Sequence, residues 1–333
     1  MSKSRKGWLL RALFLPGLMA TLNIAATADD ASGEHPKRLP RQSTTEAAAA
    51  AYDPSCAPTD AARDALEELA RGGFAIAEPE TRQRRALELA ECLGDPDPKI
   101  RDGIAFQALQ TWLRGDAIDT ATRLALAERL LPMIEADDDA AGFRRPFAAL
   151  ALAEVARADR LSPSLANEVR QRIVIAAAQY LGNIRDYRGY DANDGWRHAV
   201  AHAADLILQI GLHPATSESE TSALMDAIAQ QVAPAVVAYV HGEPERLARA
   251  VYFVRGRGVL DDAFWDSWFE RIGSLLKDVG DANPQALDKY LVRRHNLLAF
   301  LHAVAFAARA NPGPASDRLA EVVHRELLRV HAQ

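Results

Sequence analysis

His198, His202 and Asp205 recur at i, i+4 and i+7. On a helix that spacing stacks three metal-capable or proton-transferring side chains on one face. Two imidazoles and a carboxylate are a ligand set for a divalent metal, with a fourth ligand to come from elsewhere (Asp186, His241 or His295). The segment His-Ala-Val-Ala-His lacks the Glu that turns two helical histidines into a metalloprotease site, so no hydrolytic mechanism comes with it. The competing reading is a buried network in which the same groups satisfy backbone or Arg partners between packed helices. Just upstream stand Asp186, Arg188, Tyr190 and Trp196. The planar fork of Arg188 suits a carboxylate or phosphate, and a helix beginning near Trp196 would add its dipole; alternatively Arg188 pairs with Asp186 or Asp205 and pins the loop.

Polar residues also recur near the start of every second helical stretch. They are Arg101 and Asp102; Arg144 and Arg145; His198 and His202; Arg246 and Arg249; then Arg293, His295 and Asn296. In stacked helical hairpins alternate helices share a surface, so these positions form one row. The row is either a groove lined for an extended or anionic ligand or an Arg–Asp ladder joining neighbouring repeats. Trp112, Trp196, Trp265 and Trp268 sit at helical spacing, where large aromatics are more often core than sugar platforms. Nucleophile elbow, P-loop and dinucleotide fingerprints are absent from the sequence.

The elements that must position these residues are helices. Amphipathic periods predict them over 60–71, 80–93, 99–114, 120–136, 145–158, 163–181, 196–211, 218–239, 243–255, 263–279, 284–310 and 315–330. Runs of alternating β-branched residues do not occur. The expected fold is all-α, six hairpins at a spacing near 40 residues arranged as a HEAT-like α-solenoid, with a closed α/α toroid as the alternative. Asp95-Pro-Asp-Pro-Lys-Ile-Arg101-Asp with Ala105, Ala108 and Leu109 resembles a HEAT repeat opening.

Lys3, Arg5, Lys6 and Arg11, an apolar run from Ala12 to Ala26 and the small residues Ala26-Thr27-Ala28 form a signal-peptide pattern over 1–28. The run is shorter than the about 20 residues of a membrane span. Cleavage after Ala28 would deliver the chain to the periplasm or beyond and leave no membrane span in the mature protein. Residues 29–55, rich in Ala, Ser, Thr and Pro, suit a flexible linker, and 56–333 form one domain. Losing four lysines and arginines and no acid takes the net charge from −6 to −10. An acidic mature chain lacks the basic face of a nucleic-acid binder. In an oxidising compartment Cys56 and Cys92, without any CxxC spacing, are expected to pair.

Several of these segments are similar to motifs of the bacterial domain of unknown function 2785 family. They are Lys99-Ile-Arg-Asp…Trp112, Phe143-Arg-Arg-Pro-Phe-Ala-Ala-Leu150, Asp186-Tyr-Arg-Gly-Tyr190, Gly195-Trp-Arg-His-Ala-Val-Ala-His-Ala-Ala-Asp205, Gly242-Glu-Pro-Glu-Arg-Leu247 and Asn296-Leu-Leu-Ala-Phe-Leu301. The resemblance extends from about Ala61 to the end; it implies a helical fold and transfers no reaction.

The functional expectation is an exported helical-repeat protein, non-enzymatic, binding an unidentified ligand or protein partner through Asp186, Arg188, Tyr190, Trp196, His198, His202, Asp205, Arg246 and Asn296. The alternative is a hydrolase or lyase acting on a cell-envelope or extracellular polymer. No cofactor is expected on the first reading; the second admits a divalent metal on His198, His202 and Asp205.

Overall fold

The computed structural model describes residues 56–276 and 284–332. The signal-peptide and linker expectations fall on residues 1–55, outside the described residues. What is described is almost wholly helical: α1 (Asp60–Arg71), α2 (Pro79–Glu91), α3 (Pro98–Ile100), α4 (Gln107–Arg114), α5 (Thr120–Glu135), α6 (Arg144–Leu161), α7 (Asn167–Asn183), α8 (Ala199–Gly211), α9 (Glu218–Gln231), α10 (Glu243–Arg255), α11 (Asp262–Gly273), α12 (Pro284–Ala310) and α13 (Pro314–His331). A π-helical stretch, Arg101–Phe106, runs between α3 and α4.

Local chemistry starts the helices where the sequence punctuates. Thr59, Asp97, Asp119 and Asp261 each accept a backbone N–H of the following turn, and Ser217 and Glu220 close a capping box at α9. Pro79, Pro98, Pro244 and Pro314 stand in first turns, where a missing N–H costs nothing.

Packing follows alternation along the chain. α4, α6, α8, α10 and α12 each lie against the next of that series; α5, α7 and α9 form a second series, and α11 packs on α13. α8 is buried nearly all round, as a helix flanked on every side must be. α8 packs on α6, both carry many buried alanines (Ala199, Ala201, Ala203 and Ala204; Ala148, Ala149, Ala151 and Ala156), and such small side chains let helix axes approach closely. Trp112, Trp265 and Trp268 are core residues as expected, Trp112 and Trp268 donating to the Phe74 and Met225 carbonyls. Cys56 and Cys92 form a disulfide, Cα–Cα 5.2 Å, tying the start of the domain to the end of the first hairpin.

Two expected helix boundaries are corrected. The helix placed over 196–211 begins only at Ala199. Tyr190–Asp191 and Gly195–Trp196 instead pair as a short antiparallel hairpin, Tyr190 opposite Trp196. Asp191 Oδ1 accepts from Asn193 N and Asp194 N, and Gly195 takes φ +76°, so the turn closes before the helix starts. Likewise the segment placed in a helix over 218–239 leaves helix after Gln231.

Candidate functional site

The hairpin is seated by two buried arginines. Arg101, fully buried, reaches Asp95 O (2.9 Å) and Pro96 O (3.2 Å) with Nη1 and Asp194 O (2.8 Å) with Nη2, so it joins the α2–α3 turn to the hairpin. Its guanidinium lies 3.9 Å over the Phe143 ring. Arg197 covers the same ring from 4.3 Å, donates to Ala141 O and pairs with Asp194. One aromatic ring is thus shared by two cations that both hold Asp194, Arg101 by its carbonyl and Arg197 by its carboxylate. Burial pushes the neighbouring Asp102 carboxyl up to about 6, although Arg101 Nε stands 2.7 Å away and opposes the shift. The ladder continues past the strands, Arg197 N to Gly189 O and His198 N to Arg188 O.

His198 is the hinge between hairpin and helix. It sits at the N-cap of α8 in the left-handed region, φ 59° and ψ 37°, a conformation that costs about 1–2 kcal/mol outside Gly, Asn and Asp. α8 starts after it, yet His198 O still accepts from His202 N one turn on and the two rings meet edge-on at 5.6 Å, so the two imidazoles are neighbours. His198 Nε2 is 2.8 Å from His241 O. A carbonyl accepts, so Nε2 carries the proton and Nδ1 keeps a lone pair. His202 is buried with Phe147 edge-on at 5.0 Å, bonds the Pro146 carbonyl, and its Nδ1 has no protein partner. Burial pushes His198 down to about 4 and His202 well below its ordinary value, with Arg246 adding to both. Both imidazoles are neutral at pH 7; each keeps an acceptor nitrogen, that of His202 being buried.

Tyr190 and Trp196 face solvent, 55% and 37% exposed. Trp196 stacks on His198 (4.6 Å, 23° between planes), meets His241 edge-on (5.7 Å) and touches Tyr190 (5.1 Å). Trp196 departs from the core reading given to the four tryptophans, because its strand turns the ring outward; it is the one of them also named as a binding candidate. His241 is pressed against Gly189: a Cβ there would lie 2.1 Å from its Nδ1. Beneath this aromatic edge Asp186 holds the Arg188 guanidinium through both carboxylate oxygens, and Arg188 also donates to Ala140 O. Burial works to raise the Asp186 carboxyl, but the Arg188 bonds outweigh it and hold it below its ordinary value. Gly142 at φ +75° makes room; a Cβ there would fall 2.4 Å from Asp186 Oδ2.

The remaining sequence-predicted residues belong to a ladder. Asp205 on α8 is clamped by Arg246 and Arg249 of α10; burial pushes its carboxyl up while the two guanidiniums pull it back. One step along, Glu154 of α6 accepts from Arg114 Nε (2.9 Å) and Gln110 of α4. Asn296, fully buried, accepts from Tyr239 N (2.8 Å) and donates to Pro234 O and Val237 O, fastening the α9–α10 connection to α12. Tyr239, Gln231 and Tyr187 carry that network to the base of the hairpin loop. The row of polar residues therefore divides: Asn296 and the Asp205 clamp join helices, while His198 is gathered with Tyr190 and Trp196 at the hairpin surface; Arg246, one-third exposed, belongs to the clamp and stands near enough to His198 to act on it. Among the described residues no group of three His, Cys, Asp or Glu could hold a metal ion. Sequence reasoning missed Arg197, Phe143 and Glu154; Asp194-Gly195 between two aromatics was the available hairpin signal.

Fold and site together define an all-α protein of side-by-side helices interrupted by one aromatic, histidine-backed hairpin. The family described as "Protein of unknown function (DUF2785)" matches residues 130–306, more than half the chain, and the chain belongs to that family. The matched span holds the hairpin, both histidines, Asp205, Arg246 and Asn296, and is narrower than the motif resemblance suggested. Among curated proteins and solved structures nothing matches.

Proposed function

We propose that this is an exported α-solenoid that binds a polyhydroxylated ligand, of the kind found in envelope polymers, on the surface made by Tyr190, Trp196, His198, His241 and Arg246. The observation that carries this reading is the mounting of two exposed aromatic rings on a hairpin fastened from behind by Arg101 and Arg197. Exposed aromatics normally cost stability, and holding them rigid removes the entropic penalty of ordering them on binding. Aromatic faces take the C–H side of a sugar. The Nδ1 acceptor of the neutral His198 imidazole takes a hydroxyl, and Arg246 or Arg188 takes a carboxylate substituent.

An open array is supported by the packing of each helix on its second neighbour. Among the described residues, extensive packing does not join α1 or α2 to α12 or α13, as ring closure would require. Export is supported by the signal-peptide pattern and suits the disulfide. The test is calorimetric titration of the purified protein with soluble muropeptides and with neutral and acidic oligosaccharides. Binding of at least one class, lost in Trp196→Ala and Tyr190→Ala at unchanged melting temperature, is expected. Binding that survives both substitutions, or no binding by any probe, overturns the reading. Polymer cleavage abolished by His198→Ala or His202→Ala with folding intact would replace it with the hydrolase or lyase alternative.

A further inference from the structure

α12 is the last helix of its series. α10 and α13 cover two of its sides and the short turn Ser274–Leu276 packs beside it; among the described residues the remaining face is bare. Leu287, Leu291 and Phe306 are 55%, 54% and 75% exposed, with Leu298 half-buried and His302 exposed between them. Steps of mostly three or four residues put these positions in one stripe. A groove of about 380 Å³ occupies its middle, lined by Leu291, Arg294, His295, Leu298, Ala299 and His302. Val236 and Val240 (75% and 72% exposed) flank Tyr239, whose carbonyl is 3.3 Å from His295 Nε2, so they lie along the same edge.

We infer that this face is the interface of a two-fold dimer, α12 packing antiparallel on α12 of a second copy with Leu298 at the axis. Charge placement selects the direction. Asp288 stands near the start of the stripe and Arg309 at its end. Antiparallel pairing about Leu298 sets Asp288 of each copy beside Arg309 of the other, and Phe306 against Tyr290 and Leu291; parallel pairing sets like charge on like. Size agrees: a 27-residue helix is about 40 Å long, and a strip of that length about 15–20 Å wide is about 600–800 Å², close to one side of a standard interface. The apolar edge occurs at one end only. Among the described residues α1, α2 and α4, at the other end of the series, expose no large hydrophobic side chain. Head-to-tail stacking would therefore lack a complementary surface, and an isologous pair closes at two.

Sedimentation equilibrium of the purified protein tests this. Twice the chain mass is expected at micromolar concentration, and Leu298→Glu is expected to give a monomer with unchanged helical content. Asp288→Arg and Arg309→Asp should each weaken dimerisation about tenfold or more, and together should restore it. Leu298→Cys should form an interchain disulfide in air, the native cysteines being already paired. A wild-type monomer at these concentrations, a dimer indifferent to Leu298→Glu, or a double charge reversal no tighter than either single one would each overturn the assignment.

Discussion

Replacing Arg101 by Met should release the hairpin without disturbing the helices beneath it. The Asp102 ion pair and a long (3.4 Å) bond to Trp196 O are lost together with three stronger charge-assisted bonds, to the carbonyls of Asp95, Pro96 and Asp194. At about 1.5 kcal/mol each the three sum to about 4–5 kcal/mol. Against that stand the guanidinium's own desolvation, which disappears, and the apolar contact of Met with Phe143, which partly replaces the cation–ring contact. A net loss of about 3 kcal/mol remains, or about 6 °C in melting temperature at about 2 °C per kcal/mol for a domain of this size. Arg101→Lys should lose about 2 kcal/mol, since one ammonium cannot serve carbonyls on two separate segments as the fork does. Urea unfolding followed by circular dichroism measures the global term. Amide exchange of Arg197 and His198, which donate to Gly189 O and Arg188 O, measures the local one. Exchange at these two amides should rise at least about tenfold in Arg101→Met. A loss below about 1 kcal/mol with both amides protected as in wild type would refute the argument that Arg101 seats the hairpin.

Acid should weaken the fold through its histidines. His198 drops from an ordinary 6.5 to about 4 on folding, so between those values the unfolded chain binds a proton that the folded chain refuses. The His198 contribution is complete above about 6.5 and falls by up to about 3 kcal/mol on the way to pH 4, with His202 acting in the same direction and the raised Asp102 carboxyl in the opposite one. His198→Asn, which tolerates the left-handed backbone, should flatten this dependence in urea titrations run from pH 7 to 4. Two glycines with φ > 0 should respond differently to alanine. Gly73→Ala, at φ +63° with nothing within 4 Å, should lose about 1 kcal/mol. Gly142→Ala must also displace Asp186 and Arg188, and equal melting temperatures for the two variants would sink that distinction. Cys56→Ala with Cys92→Ala removes a cross-link spanning 36 residues and should lower stability by about 3–4 kcal/mol in the chain-entropy model, read by urea midpoint against wild type.

The helical class and most boundaries were legible because amphipathic period, caps and prolines act over a few residues. α1, α10 and α12 occupy the expected ranges to the residue. The hairpin was hidden by its brevity: two residues per strand carry no alternation, and Gly195-Trp-Arg-His reads smoothly into the apolar run of α8. The division of the polar row was not legible at all. Arg101 and Arg246 have the same kind of sequence neighbourhood, yet one is wholly buried and the other one-third exposed. What separates them are carbonyls as far as 93 residues away, which no local pattern encodes. Asn296 is the same case, its partners lying 57 to 62 residues upstream.

That 93-residue span also bears on when the surface comes into being. Stacked hairpins form mostly from contacts close in sequence, so the helices can assemble early and in parts. The Arg101–Asp194 bond cannot form until the α2–α3 turn and the α7–α8 connection have come together, because it bridges the two, and Phe143 at the start of α6 lies under the same guanidinium. A chain arrested with some hairpins folded would have its helices but an unseated aromatic edge. The hairpin is thus a checkpoint on assembly: Tyr190 and Trp196 are held in place only in a molecule whose first half is already complete.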